Sequence, residues 1–167
     1  LLQGAQIDTF GVGENLITSK SDPVFGGVYK LVAIEENGRY IPTIKLSENP
    51  EKVTTPHFKE LYRFYSNDTH KAIADYVTIR GEELVITPDF EIFDPLESWK
   101  RKKLNNFYAQ KLLVPIFQKG ECVYHCPPLA DVRAYCREQI DLLWDEVKRF
   151  ENPHRYYVDL SAKLWSE

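Results

Sequence analysis

The stretch from Gly4 to Thr18, GAQIDTFGVGENLIT, most constrains what this chain can form. It reads as a short buried strand over Ala5–Phe10, a glycine turn at Gly11-Val12-Gly13, and a short helical turn over Glu14–Ile17. Glycine tolerates positive φ and lets the backbone come close to a ligand. The N–H groups that open a helix have no partner inside it and point outward, so an anion suits that place. Gly11, Val12, Gly13 and Glu14 are therefore candidate phosphate-binding residues. Two features weigh on the other side. Leu16 stands where a dinucleotide fingerprint would carry its third glycine. Glu14 favours a bare helix start but would have to turn away from a bound phosphate. An ordinary strand-to-helix turn uses the same residues, and spacing alone leaves both readings open.

The 167 residues suffice for one domain or two small ones, and 43% hydrophobic with 13% aromatic residues can build a buried core. A net charge of −4 gives no electrostatic footprint for nucleic acid or an anionic membrane, and no apolar run reaches the length of a membrane span. The first residue is Leu and the sequence contains no Met, so a piece of a longer protein is expected. Three cysteines, Cys122, Cys126 and Cys136, fit a reduced, cytosolic chain better than a disulfide framework. Cys122-x-x-His125-Cys126 resembles half of a metal site, but no second ligand pair follows at metal spacing and the segment has the texture of a strand. No metal site is expected.

After a polar loop, Ser19–Pro23, Gly26-Gly27 opens a β-branched and aromatic run, Val28–Ile34, that reads as a strand. Asn37-Gly38 marks a hairpin turn, with Tyr40–Leu46 returning as the partner. Lys45–Pro56 is a polar, proline-marked loop whose Lys45 and Lys52 read as solvated surface. Leu61–Tyr65 and Ala72–Ile79 read as strands around a turn at Ser66–Thr69, with His70 exposed at its edge. Leu84–Thr87 and Glu91–Phe93 are short strand candidates flanking Pro88. Together these predict a meandering antiparallel sheet, with a soft boundary near Phe90–Trp99.

Trp99-Lys100-Arg101-Lys102-Lys103 reads as a solvated basic edge. Phe107–Phe117 is an edge strand, since Pro115 cannot donate to a ladder, and Lys119-Gly120 turns it back toward Cys122–Tyr124. Beyond Pro127-Pro128, apolar residues recur at Leu129, Val132, Cys136, Ile140, Leu143, Val147 and Phe150, in steps of three and four. That spacing predicts one long amphipathic helix ended by Asn152-Pro153. Packing its stripe on the sheet as core would contribute on the order of 10 kcal/mol before entropy is subtracted. Tyr156–Leu160 leads into a last short helix, Ser161–Trp165, capped by Asp159 or Ser161. No local signature suggests a Ser-His-carboxylate triad, and no paired carboxylates stand out.

Several segments in order resemble the later part of bacterial nicotinate phosphoribosyltransferases: IDTFGVGENLITS, GGVYKLVAI, KLSENPEKVTTP, LYRFY with KAIADY, LLVPIF, and NPHRYYVDLSAKLW. The resemblance implies an α+β chain: residues 1–21 as the end of a type II phosphoribosyltransferase α/β barrel carrying the phosphate-binding turn, 22–90 as antiparallel sheet structure, and 91–167 as a C-terminal appendage with strands and a long amphipathic helix.

It implies further that the full-length protein forms nicotinate mononucleotide from nicotinate and phosphoribosyl pyrophosphate, coupled to ATP hydrolysis through a phosphorylated histidine, with Mg2+, as a cytoplasmic homodimer of NAD salvage. By the same resemblance Gly11-Val12-Gly13 contacts the 5-phosphate of the ribosyl substrate. The sequence departs from the family at Glu14, where relatives often carry Thr, and at His57, where Gly usually follows the proline. None of His57, His70, His125 and His154 matches the motif of the phosphorylated histidine. No catalytic residue is therefore expected in this chain, and the fragment alone should be inactive. A non-catalytic interaction module, and a related nicotinamide or quinolinate phosphoribosyltransferase, are the competing expectations.

Overall fold

β-Branched and aromatic residues crowd Lys59–Ser66 (β3) and Ala72–Ile79 (β4), and these strands form the centre of the main sheet. The computed structural model describes residues 4–21, 23, 27–49 and 52–167. It divides into two units, Leu1–Leu31 and Val32–Glu167.

In Val32–Glu167, β3 and β4 pair antiparallel, with Tyr62 opposite Tyr76 and Phe64 opposite Ala74. Phe107–Lys111 (β7) joins β3 antiparallel on one side, and Tyr157–Leu160 (β10) joins β4 in parallel on the other. The order β10-β4-β3-β7 makes a mixed sheet. The expected antiparallel meander therefore holds only for β3 and β4. A parallel neighbour needs a long crossover, which the chain from residue 80 to 156 supplies. The sheet draws strands from both sides of residue 90.

Alternation along β3 and β4 sorts the two faces. Tyr62, Phe64, Ala74 and Tyr76 form one buried cluster with Phe90, Ile92, Leu104 and Phe107. Phe64 lies at its centre, with ring centroids 4.9 Å from Phe107 and 5.4 Å from both Tyr76 and Phe90. Ile92 arrives on a small separate ribbon, Glu91–Phe93 (β5) with Arg101–Lys103 (β6), and Phe90 lies just before it. The basic run is a solvated edge, as expected: Arg101 pairs with Glu91, Lys103 with Asp89, and Lys100 with Glu97. Leu84–Thr87 forms no strand.

The opposite face carries a polar pair. Arg63 Nε and Nη2 donate to the two carboxylate oxygens of Asp75 at 2.7 and 2.9 Å, and the Tyr156 hydroxyl donates to Asp75 Oδ1 at 3.0 Å. The bidentate hydrogen bond raises the affinity of Arg63 for its proton, and burial together with the Asp75 charge does the same for Tyr156.

The helix departs most from its pattern. Leu129–Asp141 (α2) ends at Leu142, and Asp145–Lys148 (α3) is a separate turn behind Trp144, so the single helix to Phe150 is corrected to two. No residue of α2 is buried: Leu129 is 74% and Tyr135 59% exposed. The expectation that its stripe is core is corrected too. The helix is held mainly by polar contacts near its C-terminal end. Arg63 Nη1 donates to Gln139 Oε1 at 3.1 Å, the Ala72 N–H to the Leu142 carbonyl at 2.8 Å, and Lys71 Nζ to the Asp141 carbonyl.

The remaining elements are short. Ala33–Glu36 (β1) and Arg39–Pro42 (β2) form the hairpin expected at Asn37-Gly38, both with positive φ as a tight turn of this kind requires. The strands are shorter than Val28–Ile34 and Tyr40–Leu46 suggested, because Val28–Leu31 finds no ladder partner. Phe117–Gln118 (β8) and Glu121–Cys122 (β9) turn at Lys119-Gly120, and Pro115 lies outside any strand. Ala162–Trp165 (α4) closes the chain, with Ser161, not Asp159, as the cap: its Oγ accepts from the Leu164 N–H at 3.1 Å. Gly26, Pro50 and Glu51, which carried parts of the expected strand and loop, lie outside the described residues.

In Leu1–Leu31 the one described element is Glu14–Ile17 (α1), at the expected place. Ala5–Phe10 is not a strand, and Ile7 and Phe10 are exposed, so that expectation is corrected. A strand needs a ladder partner for its N–H and C=O groups, and none of the described residues supplies one. No closed barrel forms among the described residues.

Candidate phosphate-binding turn

Gly13 caps α1 with extended geometry, φ −109° and ψ −177°. Its carbonyl accepts from the Leu16 and Ile17 N–H groups at 3.1 and 3.2 Å, and the Glu14 carbonyl accepts from the Thr18 N–H and hydroxyl at 2.9 and 2.8 Å. The N–H groups of Glu14 and Asn15 make no hydrogen bond among the described residues. They are the free donors that the start of a helix leaves over. Gly11, Val12, Gly13 and Glu14 come together with Asn15, Leu16 and Lys20 around an open concavity of about 500 Å³.

The structure changes the reason for the glycines. Neither Gly11 nor Gly13 has positive φ, and a Cβ on either would meet no atom within 4 Å. Backbone conformation does not demand glycine here, and neither does packing within this chain. The Glu14 side chain is exposed in the first turn, beside the free donors.

His57 lies in the other unit. Its φ is +81°, in the region that favours glycine. The residue is nonetheless held. Its N–H donates to the Val32 carbonyl at 2.7 Å, its carbonyl accepts from Lys59 Nζ at 2.8 Å, and its Nε2 lies 3.7 Å from Glu167. Burial lowers the affinity of Lys59 for its proton. Nδ1 of His57 is buried with no partner among the described residues.

Cys122 and Cys126 are exposed, and the Cys122 thiol donates to the Tyr124 carbonyl at 3.6 Å. Among the described residues no three His, Cys, Asp or Glu side chains gather as a metal-ligand set. No described helix is long and apolar enough to cross a membrane.

The sequence reading missed a larger concavity, about 760 Å³, in Val32–Glu167, between α3, β10 and the segment after β5. Its floor includes Asp159, only 3% exposed. The available signal is a carboxylate between apolar residues in Tyr156–Leu160, a residue the sequence also offers, with Ser161, as a helix cap.

The last 110 positions decide the family. Residues 58–167 match the family model described as the nicotinate phosphoribosyltransferase C-terminal domain. The chain belongs to the nicotinate phosphoribosyltransferase family. It is similar to the protein named nicotinate phosphoribosyltransferase of Bacillus subtilis, 44% identical over 164 residues, which are 98% of this chain and 34% of that protein. It is also similar to the nicotinate phosphoribosyltransferase of Dictyostelium discoideum, 32% identical over 98% of this chain and 28% of that protein. The chain thus spans about a third of the length of these relatives. The crystal structure of human nicotinic acid phosphoribosyltransferase superposes with a TM-score of 0.59 at 23% identity, over 68% of this chain and 22% of that one. This likeness establishes a shared fold.

Proposed function

We propose that this chain is the C-terminal part of an enzyme that joins nicotinate to the ribosyl 5-phosphate of phosphoribosyl pyrophosphate, forming nicotinate mononucleotide for NAD synthesis. The observation that carries the reading is the match of nearly the whole chain to relatives bearing that name. In the reaction the pyridine nitrogen bonds to ribose C1 as the bond from C1 to pyrophosphate breaks. This chain would contribute to binding, not to bond making. The free N–H groups of Glu14 and Asn15, with the backbone of Gly11-Val12-Gly13, would hold the 5-phosphate. Main-chain donors are fixed before the ligand arrives, so binding costs little reorganisation. Lys20 at the rim adds positive charge.

On this reading residues 1–21 adjoin a barrel whose strands belong to the remaining two-thirds of the protein. Hydrolysis of ATP would supply the driving force, with Mg2+ neutralising charge on its phosphates, and both would be held by that remainder. A cytoplasmic homodimer is part of the same proposal.

The test is titration of the intact protein with phosphoribosyl pyrophosphate, comparing wild type with Gly13→Asp. The backbone at Gly13 accepts any residue and its Cβ has open space, so the fold should tolerate the change. The new carboxylate would meet the phosphate. An affinity loss of about tenfold or more is expected. Equal affinity would remove the turn from the binding site.

A further inference from the structure

Asp159 is buried on β10, yet among the described residues no hydrogen bond or ion pair reaches its carboxylate. The charged groups around it are already engaged. Asp94 Oδ1 accepts from the Leu96 and Glu97 N–H groups at 2.8 and 3.0 Å, and its Oδ2 lies 3.5 Å from Arg155. Lys100 is paired with Glu97, and Lys102 Nζ sits 4.7 Å from the centre of the Tyr157 ring. Arg155 and Lys102 act on Asp159 through space without forming an ion pair with it. A carboxylate in a buried residue that only water reaches is poorly solvated, which weakens a fold. Residues that break such a rule tend to mark function. Asp159 also lines the 760 Å³ concavity, with Trp144, Val147 and Glu146 and with Lys102 and Arg155, whose charges are engaged as above.

We propose that this concavity binds a small organic cation, its ammonium or guanidinium group taken by Asp159 and its stem lying against Trp144 and Val147. Aromatic faces attract cations as well as apolar stems. The volume is that of a small-molecule site. A metal ion fits less well, because no three ligating side chains meet among the described residues. Burial, then the Asp94 charge, pushes the Asp159 carboxyl up to about 6. It is therefore mostly ionised at neutral pH and would be stabilised by a cationic partner.

The experiment is calorimetric titration of the intact protein with agmatine, which carries an ammonium and a guanidinium, and with uncharged 1,4-butanediol as comparator. Saturable one-to-one binding of agmatine is expected, weakened about tenfold or more in Asp159→Asn and unchanged in Asp131→Asn, on the exposed first turn of α2. Asp159→Asn removes a destabilising charge, so lost binding would not reflect misfolding, and a thermal melt checks this. Absence of saturable agmatine binding would overturn the proposal, including the case in which another stretch of the intact protein fills the concavity. So would equal binding by Asp159→Asn, or binding of butanediol as tight as that of agmatine.

Discussion

The sheet from Lys59 to Lys111 and the helix α2 are both rich in apolar residues, and they meet opposite fates. On the sheet, Phe64, Ala72 and Ala74 are fully buried and five aromatic contacts centre on Phe64, Tyr76, Phe90 and Phe107. On α2, Leu129, Val132, Tyr135 and Ile140 all face solvent, and the helix is fastened mainly at its far end by Arg63, Lys71 and the Ala72 backbone. The difference teaches that an apolar stripe says a face is meant to be covered, without saying by what. The sheet finds its cover in nearby strands and the ribbon β5–β6. Exposed apolar patches of this kind occur at protein, membrane and ligand surfaces.

The largest effect expected is in the sheet. Phe64→Ala should cost about 3–5 kcal/mol in urea denaturation, because the ring is fully buried among aromatic neighbours. A cost near 1 kcal/mol would mean that the sheet is as loosely covered as the helix, and the contrast would collapse.

An intermediate effect of opposite sign is expected at Asp159, where burial in the sheet region works against stability. Its carboxyl titrates near 6 in the folded protein, above the ordinary unfolded value of about 3.9, so protonation favours the native state. The destabilisation is absent at low pH, grows as pH rises through about 4 to 6, and is complete above 6. Asp159→Asn should therefore raise stability by on the order of 1–3 kcal/mol at pH 7.5 and leave it nearly unchanged at pH 4. Thermal melts at the two pH values check this. A variant less stable than wild type at pH 7.5 would show that the carboxylate has a donor after all.

The smallest effect is expected on the helix. Leu129→Ser should change the stability of this 167-residue chain by less than about 0.5 kcal/mol. A loss above about 2 kcal/mol would show the stripe covered within this chain and would reverse the comparison.

Local chemistry made much of the fold readable. β4 spans Ala72–Ile79, β5 spans Glu91–Phe93 and α1 spans Glu14–Ile17, each where the residues indicated. The turns at Asn37-Gly38 and Lys119-Gly120 and the Ser161 cap are local devices as well, decided by φ and by one side-chain oxygen. The candidate turn was readable as a place but not as a mechanism, since its glycines use neither positive φ nor tight packing here.

The sequence by itself determined the family and the elements whose partners are their own neighbours, because turns, caps and side-chain alternation act over a few residues. Tertiary structure alone decided that β10 lies parallel to β4, that Asp159 is buried at the floor of a concavity, and that the α2 stripe is open. Each depends on which distant surface comes to rest against the segment. Hydrophobic burial is non-directional, so a periodic pattern can name the face to be covered but not its cover.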